Sequence, residues 1–481
     1  MKIYRSIILG LCFVLGITAC SNFLNVTPKN VISMDDMESI KTSLAGFLYK
    51  VRDNGNGEVG SNIPWSPWLM PQYSFIGYSD EWDLSKYAQN DLTDSEIQIL
   101  DWRNTSTQSL WNKYYAPIGF VNLIIHEAET AEGEENMRDY VMGEAYVIRA
   151  FCFFKLIQYF APYHDNALGI PVCLKSYEDF ETLTFERKTQ KEVYAQILSD
   201  LQEAGKRLER THPRESYNVF YSSNVVNRLL AKVYHFKALS AAAEADDWQN
   251  AVKYANRETE GKILVSDPSL IKDFFDVNRS EVTAHGDYGL RFYYTGSYDM
   301  NSCYNFDVNK DFYQEYFSEN NDIRKSLYYT ETTGSAGLQV KMNKYSQVYS
   351  WWGSLYIGLR LPETFLIQAE AYAMTDDLQE AKDILKRFKS ARYTDGVFAI
   401  PENKEELLKD IYRERRKEFV AEDDIFWLDM KRLGVKLKRT VGGQTFSLEG
   451  ANDYRYAFPI PSSEINANKY IEQNPVWILN D

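Results

Sequence analysis

The chain contains few of the residue types and motifs that mark most enzymes and nucleic-acid-binding proteins. Its 481 residues include 5 histidines and 5 cysteines, and an excess of acidic side chains gives a formal net charge of −15 at pH 7. The sequence has no H-E-x-x-H, no G-x-S-x-G and no glycine-rich phosphate loop, and each of these motifs fixes a catalytic geometry. An acidic chain is repelled by nucleic-acid phosphates. We therefore expect no catalysis, no cofactor and no nucleic-acid partner.

The histidines and cysteines do not form metal-binding patterns. His126, His164, His212, His235 and His285 are scattered without ligand spacing. Acidic runs at 80–83 and 91–94 are an alternative place for calcium, but no EF-hand pattern occurs, and solvated acids are the simpler interpretation. We predict no metal site.

Long apolar runs are absent after residue 20, so the chain has no segment that would span a bilayer as a helix. The first 19 residues have a basic start, a short apolar core and small residues before Cys20, the layout of a secretory signal. The ending I-T-A-C resembles a bacterial lipobox, in which the cysteine is acylated. We predict a signal peptide over 1–19 and lipid attachment at Cys20, with a plain secreted protein as the alternative.

The remaining cysteines do not define a disulfide framework. Cys12 lies in the signal, which leaves Cys152, Cys173 and Cys303 and therefore at most one disulfide. Cys152 lies in an aromatic, helix-like run, where a small buried hydrophobic residue is its expected role.

Apolar periodicity predicts a mainly α-helical chain. Predicted helices cover 33–52, 111–131, 134–160, 189–209, 223–244, 248–257, 311–318, 361–374, 378–390 and 404–422. Small and large residues in the pairs 361–390, 225–256 and 134–209 are similar to those of tetratricopeptide units, with generic antiparallel helices as the alternative. We predict one domain over 20–481, with a helical frame at about 33–260 and 361–432 and a loop-rich, aromatic insertion at about 261–360. A further strand is predicted over 454–460.

Five segments carry more specific patterns, in one order along the chain. They are C-S-N-F-L-N-V-T-P at 20–28, G-E-A-Y-V-I-R-A-F at 143–151, L-P-E-T-F-L-I-Q-A-E-A at 361–371, the run from E-R-R-K-E to W-L-D-M-K-R within 411–432, and P-I-P…E-I…Q-N-P within 459–475. Together they resemble the SusD/RagB family of outer-membrane nutrient-binding lipoproteins. Any one of them alone would be weak.

The resemblance implies a non-catalytic lipoprotein of the outer membrane, displayed on the cell surface. Such a protein captures oligosaccharides and delivers them to a SusC-like TonB-dependent transporter. Peptide cargo and a protein-binding scaffold are alternatives. Residues 21–25 carry no acidic side chain, which leaves a periplasm-facing location open.

Charged residues of the motifs are expected to form structural ion pairs between packed helices. They are Glu144, Arg149, Glu370, Arg413, Glu414 and Glu418. Paired carboxylates also serve glycosidases, but the resemblance assigns these residues to framework helices.

Aromatic residues make up 15% of the chain and concentrate in three irregular segments. A sugar ring needs an aromatic plate beside hydrogen-bonding groups, and loops on a rigid frame commonly supply both. The predicted ligand-binding residues are Trp65, Trp68, Tyr78, Trp82, Arg291, Tyr294, Tyr298, Trp351 and Trp352. For any single ring, core packing is the alternative.

Overall fold

The computed structural model describes residues 34–52, 78–84, 94–103, 107–175, 185–211, 221–275, 290–294, 307–335, 337–344, 354–422 and 424–477. The predicted signal peptide and Cys20 lie outside these residues, as does Cys303. Within the described ranges, no helix is both long enough and apolar enough to cross a membrane. The boundaries of the single domain over 20–481 stay a prediction.

The fold is mainly helical, as predicted. The helices are α1 (Met37–Arg52), α2 (Asp94–Leu100), α3 (Gln108–Thr130), α4 (Glu135–Phe160), α5 (Gln190–Leu208), α6 (Ser223–Lys237), α7 (Asp247–Thr259), α8 (Pro268–Phe274), α9 (Lys310–Tyr316), α10 (Ile323–Tyr328), α11 (Leu361–Met374), α12 (Leu378–Ser390), α13 (Lys404–Glu418), α14 (Ile425–Leu433) and α15 (Ser462–Ala467). A 3₁₀ turn covers Tyr454–Tyr456.

The strands form small antiparallel pairs. They are β1 (Trp82–Asp83), β2 (Leu168–Pro171), β3 (Arg187–Thr189), β4 (Leu290–Tyr294), β5 (Asp307–Val308), β6 (Tyr329–Gly334), β7 (Gly337–Met342), β8 (Ser354–Gly358), β9 (Lys436–Val441) and β10 (Gln444–Glu449). The pairs are β1 with β5, β2 with β3, β4 with β8, β6 with β7 and β9 with β10.

The predicted helix pairs pack against one another. Helix α4 lies on α5, α6 on α7, and α11 on α12, and α11 also contacts α7 and α13. Small residues allow this: Ala369 and Ala381 are both fully buried between α11 and α12. At Gly143 on α4, an added Cβ would lie 2.7 Å from the Leu208 side chain of α5. The glycine of the G-E-A motif is therefore explained by the close approach of two helices.

Local signals set several helix ends. The Thr189 hydroxyl accepts from the backbone N–H of Glu192, and the Glu192 carboxylate accepts from the backbone N–H of Thr189, a reciprocal cap that begins α5. Gly434 ends α14 at a φ of 60°, in the left-handed region that favours glycine.

The structure differs from the predictions in the strands and in some helix ends. Residues 454–460 form a 3₁₀ turn and irregular chain, because the Asp453 carboxylate accepts from the Arg455 backbone N–H and caps a turn. Helix α6 ends at Lys237, because the Ser240 hydroxyl and the Lys237 carbonyl form a turn there. Helix α13 ends at Glu418, and the left-handed Ala421, at a φ of 53°, separates it from α14.

Candidate functional site

Two of the three predicted aromatic segments meet through strand pairing. Strand β4 pairs antiparallel with β8, with Arg291 opposite Ile357 and Tyr294 opposite Ser354. In the sequence, Tyr298 follows four residues after Tyr294, and Trp352 precedes Ser354 by two residues. Trp65, Trp68, Tyr298, Trp351 and Trp352 themselves lie outside the described residues. The pairing therefore joins the two segments at the level of the backbone.

Tyr78 and Trp82 are interior residues, and their prediction as ligand-binding plates is corrected. The Tyr78 side chain is 1% exposed, its ring lies 4.8 Å from that of Trp427, and its carbonyl accepts from Trp102 Nε1 at 3.0 Å. Trp82 is 4% exposed and packs in a cluster with Val308. Both rings are packed inside the core and have no face available to a ligand. Large aromatic side chains are used for core packing as well as for ligand binding, so aromatic content alone does not distinguish the two roles.

Glu81, which lies between these two rings in the sequence, lines a cavity of about 570 Å³. Helices α9, α13 and α14 form most of its wall, together with the segments before α13 and after α14. The wall combines aromatic and aliphatic residues with charged ones. Its lining residues include Tyr316, Tyr412, Arg413, Arg416, Met430 and Leu433.

Arg416 is held in the wall by three rings. Its guanidinium lies 3.9 Å from the ring centroid of Phe426, 4.9 Å from that of Phe312 and 5.2 Å from that of Tyr316. It forms an ion pair with Asp80, while its Nε is buried and has no hydrogen-bond partner among the described residues. Burial lowers the pKa of Arg416 to about 9, and the nearby Asp429 carboxylate offsets this only in part.

Glu81 is a buried carboxyl whose hydrogen bonds involve a backbone N–H group and a hydroxyl. Its side chain accepts from the Ala421 backbone N–H at 3.2 Å. Burial raises the pKa of Glu81 to about 7, although this hydrogen bond and the Lys344 charge oppose the shift. The contact fixes the left-handed turn at Ala421, and it therefore connects the predicted ligand segment around 80 to the end of α13.

The opposite face of α13 carries a buried ion-pair network. Glu418 accepts from Arg360 Nη1 at 3.0 Å and from Arg392 Nε at 2.8 Å. Glu414 accepts from Arg324 Nη2 at 2.5 Å. Burial alone would raise the pKa of Glu418, but the charges of Arg392 and Arg360 hold it far below its usual value. The glutamates of the E-R-R-K-E motif are therefore structural.

A second network joins α6, α11 and α14. Glu370 accepts from Arg432 Nη1 at 2.6 Å and lies 2.7 Å from His235 Nε2. Burial lowers the pKa of His235, and the Arg432 charge lowers it further. On α4, Arg149 donates to Asp200 at 2.6 Å and 2.8 Å. The expected structural ion pairs are confirmed for Arg149, Glu370, Glu414 and Glu418.

Arg413 does not belong to these networks. Its guanidinium donates to the Glu315 backbone carbonyl and lies 5.1 Å from the Tyr316 ring centroid, on the cavity side of α13. The sequence contains a signal for this: positions 406, 409, 410, 413 and 416 share one helix face. The motif alone groups Arg413 with the buried ion pairs, and for this residue the prediction is wrong.

Within the described residues, no group of three or more histidine, cysteine or acidic side chains is arranged to hold a metal ion.

Glu363, Glu370 and Glu418 all have lowered pKa values, because buried cations outweigh the effect of desolvation. Such carboxyls are ionised at neutral pH and are poor general acids.

Comparisons with known proteins agree across most of the chain. One family model, described as starch-binding and associating with the outer membrane, matches residues 22–235, and a second, described as the SusD family, matches residues 287–477. A SusD-like protein P2 from Formosa agariphila is 25% identical over 431 residues, which are 77% of this chain and 80% of that protein.

Solved structures show the same fold. A SusD superfamily protein from Bacteroides thetaiotaomicron is 21% identical, with a TM-score of 0.71 over 92% of this chain and 100% of the other. A SusD-like carbohydrate binding protein from Bacteroides vulgatus is 18% identical, with a TM-score of 0.66 over 91% of this chain and 97% of the other.

Proposed function

The chain belongs to the SusD/RagB family, and on this basis we propose that it is a non-catalytic glycan-binding lipoprotein of the outer membrane. It captures oligosaccharides at the cell surface and passes them to a SusC-like TonB-dependent transporter. The observation that carries the proposal is the match of the two family models, in order, to residues 22–235 and 287–477. The first of these models is described as starch-binding, which supports carbohydrate as cargo.

The strand pairing supports a ligand site on the aromatic segments. Because β4 and β8 are paired, groups near Arg291 and Tyr294 and groups near Trp351 and Trp352 belong to neighbouring stretches of chain. Sugars bind where aromatic faces and hydrogen-bonding groups converge. We propose that Arg291, Tyr294, Tyr298, Trp351 and Trp352 form the principal site, with Trp65 and Trp68 contributing from the first segment.

The non-catalytic role is supported by the state of the acidic groups. A glycosidase needs one carboxyl that is protonated near neutral pH and a second, ionised one beside it. The motif glutamates Glu414 and Glu418 are instead paired with guanidinium groups inside the frame. Glu81 does have a raised pKa, but its carboxyl accepts from the Ala421 backbone N–H and is engaged in holding that turn.

Calorimetric titration with a panel of oligosaccharides tests glycan binding, using the chain from Ser21 onward. Trp351→Ala is expected to weaken binding with little change in the melting temperature. The matched control is Trp82→Ala, which also removes an indole, but from the core; it is expected to lower the melting temperature, because emptying a buried tryptophan site costs about 3–5 kcal/mol. Glycan affinity that is unchanged in Trp351→Ala would contradict the assignment of the principal site.

Three further measurements test the membrane role. Metabolic labelling with a fatty-acid analogue is expected to mark the wild-type chain and not Cys20→Ser, and protease treatment of intact cells is expected to remove a surface-exposed protein. Isolation of the tethered protein in mild detergent is expected to recover a TonB-dependent barrel. Binding of peptides but not glycans, or turnover of a bound sugar, would refute the proposed cargo or the non-catalytic role.

A further inference from the structure

The cavity beside α13 carries an arginine whose charge is not matched by a carboxylate. Five charged residues line up on this face of the helix, at 406, 409, 410, 413 and 416. Lys409 pairs with Glu406 at 2.9 Å, Asp410 pairs with Lys389 at 2.6 Å, and Arg416 pairs with Asp80. For Arg413, no acidic side chain lies within ion-pair distance among the residues that the structure describes.

Arg413 is also held in place. Its guanidinium donates to the Glu315 carbonyl and lies over Tyr316, the ring that Arg416 approaches as well. The residue is half-buried. A guanidinium that is oriented by one hydrogen bond and a ring keeps further N–H donors for a ligand, and its planar fork matches a carboxylate.

The surroundings of Arg413 favour an anion with an apolar face. Arg416, which is paired with Asp80, lies three residues along the helix, and its buried Nε has no partner within the described part of the chain. Tyr412, Met430 and Leu433 supply ring and aliphatic surface on the adjoining wall. The volume of about 570 Å³ falls within the range of roughly 300–1,000 Å³ that is usual for small-molecule sites.

We propose that this cavity is a second glycan site, which binds a uronic-acid unit of an acidic oligosaccharide through an ion pair between its carboxylate and Arg413. The inference rests on the proposed function, because glycan cargo is what makes a sugar acid the expected anion. Tyr412 and the aliphatic side chains contact the C–H face of the ring. Other residues form this cavity than those of the aromatic segments around β4 and β8. The principal glycan site proposed on those segments does not require a charged ligand.

Glu81 is a buried acidic residue of the wall, and in its ionised form it would repel an anion. Its carboxyl has a pKa raised to about 7, so it carries less negative charge near neutrality than an exposed glutamate does. The remaining acids of the helix face, Glu406 and Asp410, are neutralised by Lys409 and Lys389. Arg413 therefore remains the cation of the wall without an ion pair among the residues that the structure describes, while Glu315, whose backbone carbonyl it contacts, adds an acidic side chain to the same wall.

The test compares trigalacturonate with its methyl ester, which has the same rings without the charge. We expect the purified protein to bind the acid about tenfold or more tightly at low ionic strength, since a hydrogen bond between two ionised groups is stronger than one to a neutral ester. Arg413→Gln is expected to remove this preference, and Arg413→Lys to restore part of it. Lys382→Gln on α12 is the matched control, because it removes one positive charge that pairs with Glu402 outside the cavity.

The possible failures are distinguishable. Equal binding of acid and ester by the wild type, or a preference that persists in Arg413→Gln, would overturn this inference and leave the proposed function in place. Loss of the preference in Lys382→Gln would also overturn it, since the effect would then be one of overall charge. A glutamate tripeptide that binds with the same dependence on Arg413 would show that the site does not select sugar. If no glycan of any kind binds, the proposed function fails together with the inference.

Discussion

Helices α4 and α13 are both buried in the frame, but different interactions hold them. Helix α4 buries 20 of its 26 residues, most of them apolar, including Phe151, Phe153 and Phe154. Helix α13 buries 6 of its 15 residues, and 4 of those are the charged Glu414, Arg415, Lys417 and Glu418. Apolar burial has no direction, whereas each guanidinium–carboxylate pair requires a defined geometry. The packing of α4 therefore depends mainly on the volume of its apolar side chains. The packing of α13 depends mainly on the geometry of its guanidinium–carboxylate pairs.

The difference predicts how each region fails. A core of apolar side chains loses stability in proportion to the volume removed. A buried ion pair contributes little relative to an apolar replacement, but removing one partner leaves the other charge without compensation. Changes at the buried charged residues of α13 are therefore expected to depend on charge and pH, and changes at the apolar residues of α4 are not.

The largest effect is expected for Glu418→Gln. Gln has nearly the same shape, but Arg360 and Arg392 then face a neutral amide in the interior. Loss of one member of a buried ion-pair network costs about 3–5 kcal/mol, so the midpoint of urea unfolding is expected to fall markedly. Because the pKa of Glu418 is lowered on folding, its contribution is present above the unfolded value of 4.5 and is lost as the pH falls below it. If Glu418→Gln destabilised the protein as strongly at pH 3 as at neutral pH, this account would be contradicted.

Leu156→Ala probes the apolar region with a change of comparable cost. Leu156 is completely buried on α4, and a leucine-to-alanine change in a core costs about 2–5 kcal/mol. The free energy of unfolding is expected to fall by a similar amount at pH 3 and at pH 8, whereas the effect of Glu418→Gln is expected to be smaller at pH 3. If the loss instead varied with pH as strongly as in Glu418→Gln, the distinction between the two regions would be wrong.

Glu81→Gln tests how a buried carboxyl without a strong cationic partner among the described residues affects stability at the end of α13. The pKa of Glu81 is raised from 4.5 to about 7 on folding, so the native state binds more protons than the unfolded state between those values. Stability is therefore expected to fall as the pH rises from about 4.5 to 7. The amide introduced by Glu81→Gln keeps an acceptor for the Ala421 N–H without ionising, and the substitution is expected to raise stability at pH 8 by about 1–3 kcal/mol.

The same substitution should have little effect at pH 5, where the carboxyl is already protonated in the folded state. Thermal unfolding of both forms at pH 5 and pH 8 measures the difference. A stabilisation of equal size at both values would mean that Glu81 acts through shape rather than through its charge.

Local patterns in the sequence are sufficient to predict the helical frame. The bounds of α11 and α12, Leu361–Met374 and Leu378–Ser390, agree with the prediction to the residue, because Pro362 and the Asp377 cap lie beside clear apolar spacing. The predictions do not include the hairpin of β9 and β10, although the sequence has a local signal for it. Gly442 and Gly443, at φ of 58° and 77°, form the turn between two runs of alternating residues.

The candidate site could be predicted only in part, since it depends on contacts between distant residues. Tyr78 and Trp82 have the composition of ligand plates, but composition does not tell which ring the fold covers. The Arg416–Asp80 and Ala421–Glu81 contacts join residues 336 and 340 positions apart, and no spacing rule reaches that far. The motif around 411–432 indicated buried charges correctly, yet it did not show that Arg413 faces the cavity.

The smallest effect is expected on the exposed side of α13, for Lys409→Ala. Lys409 lies 2.8 Å from Glu405 and 2.9 Å from Glu406, so on the basis of distances its ion pairs resemble those of Glu418. The Lys409 side chain is 60% exposed, however, and water and salt screen such pairs while alanine is a good helix former. The midpoint of urea unfolding is expected to remain within measurement error of the wild type. A fall approaching that of Glu418→Gln would show that α13 is held by its total charge rather than by the buried pairs, and the contrast with α4 would then need another cause.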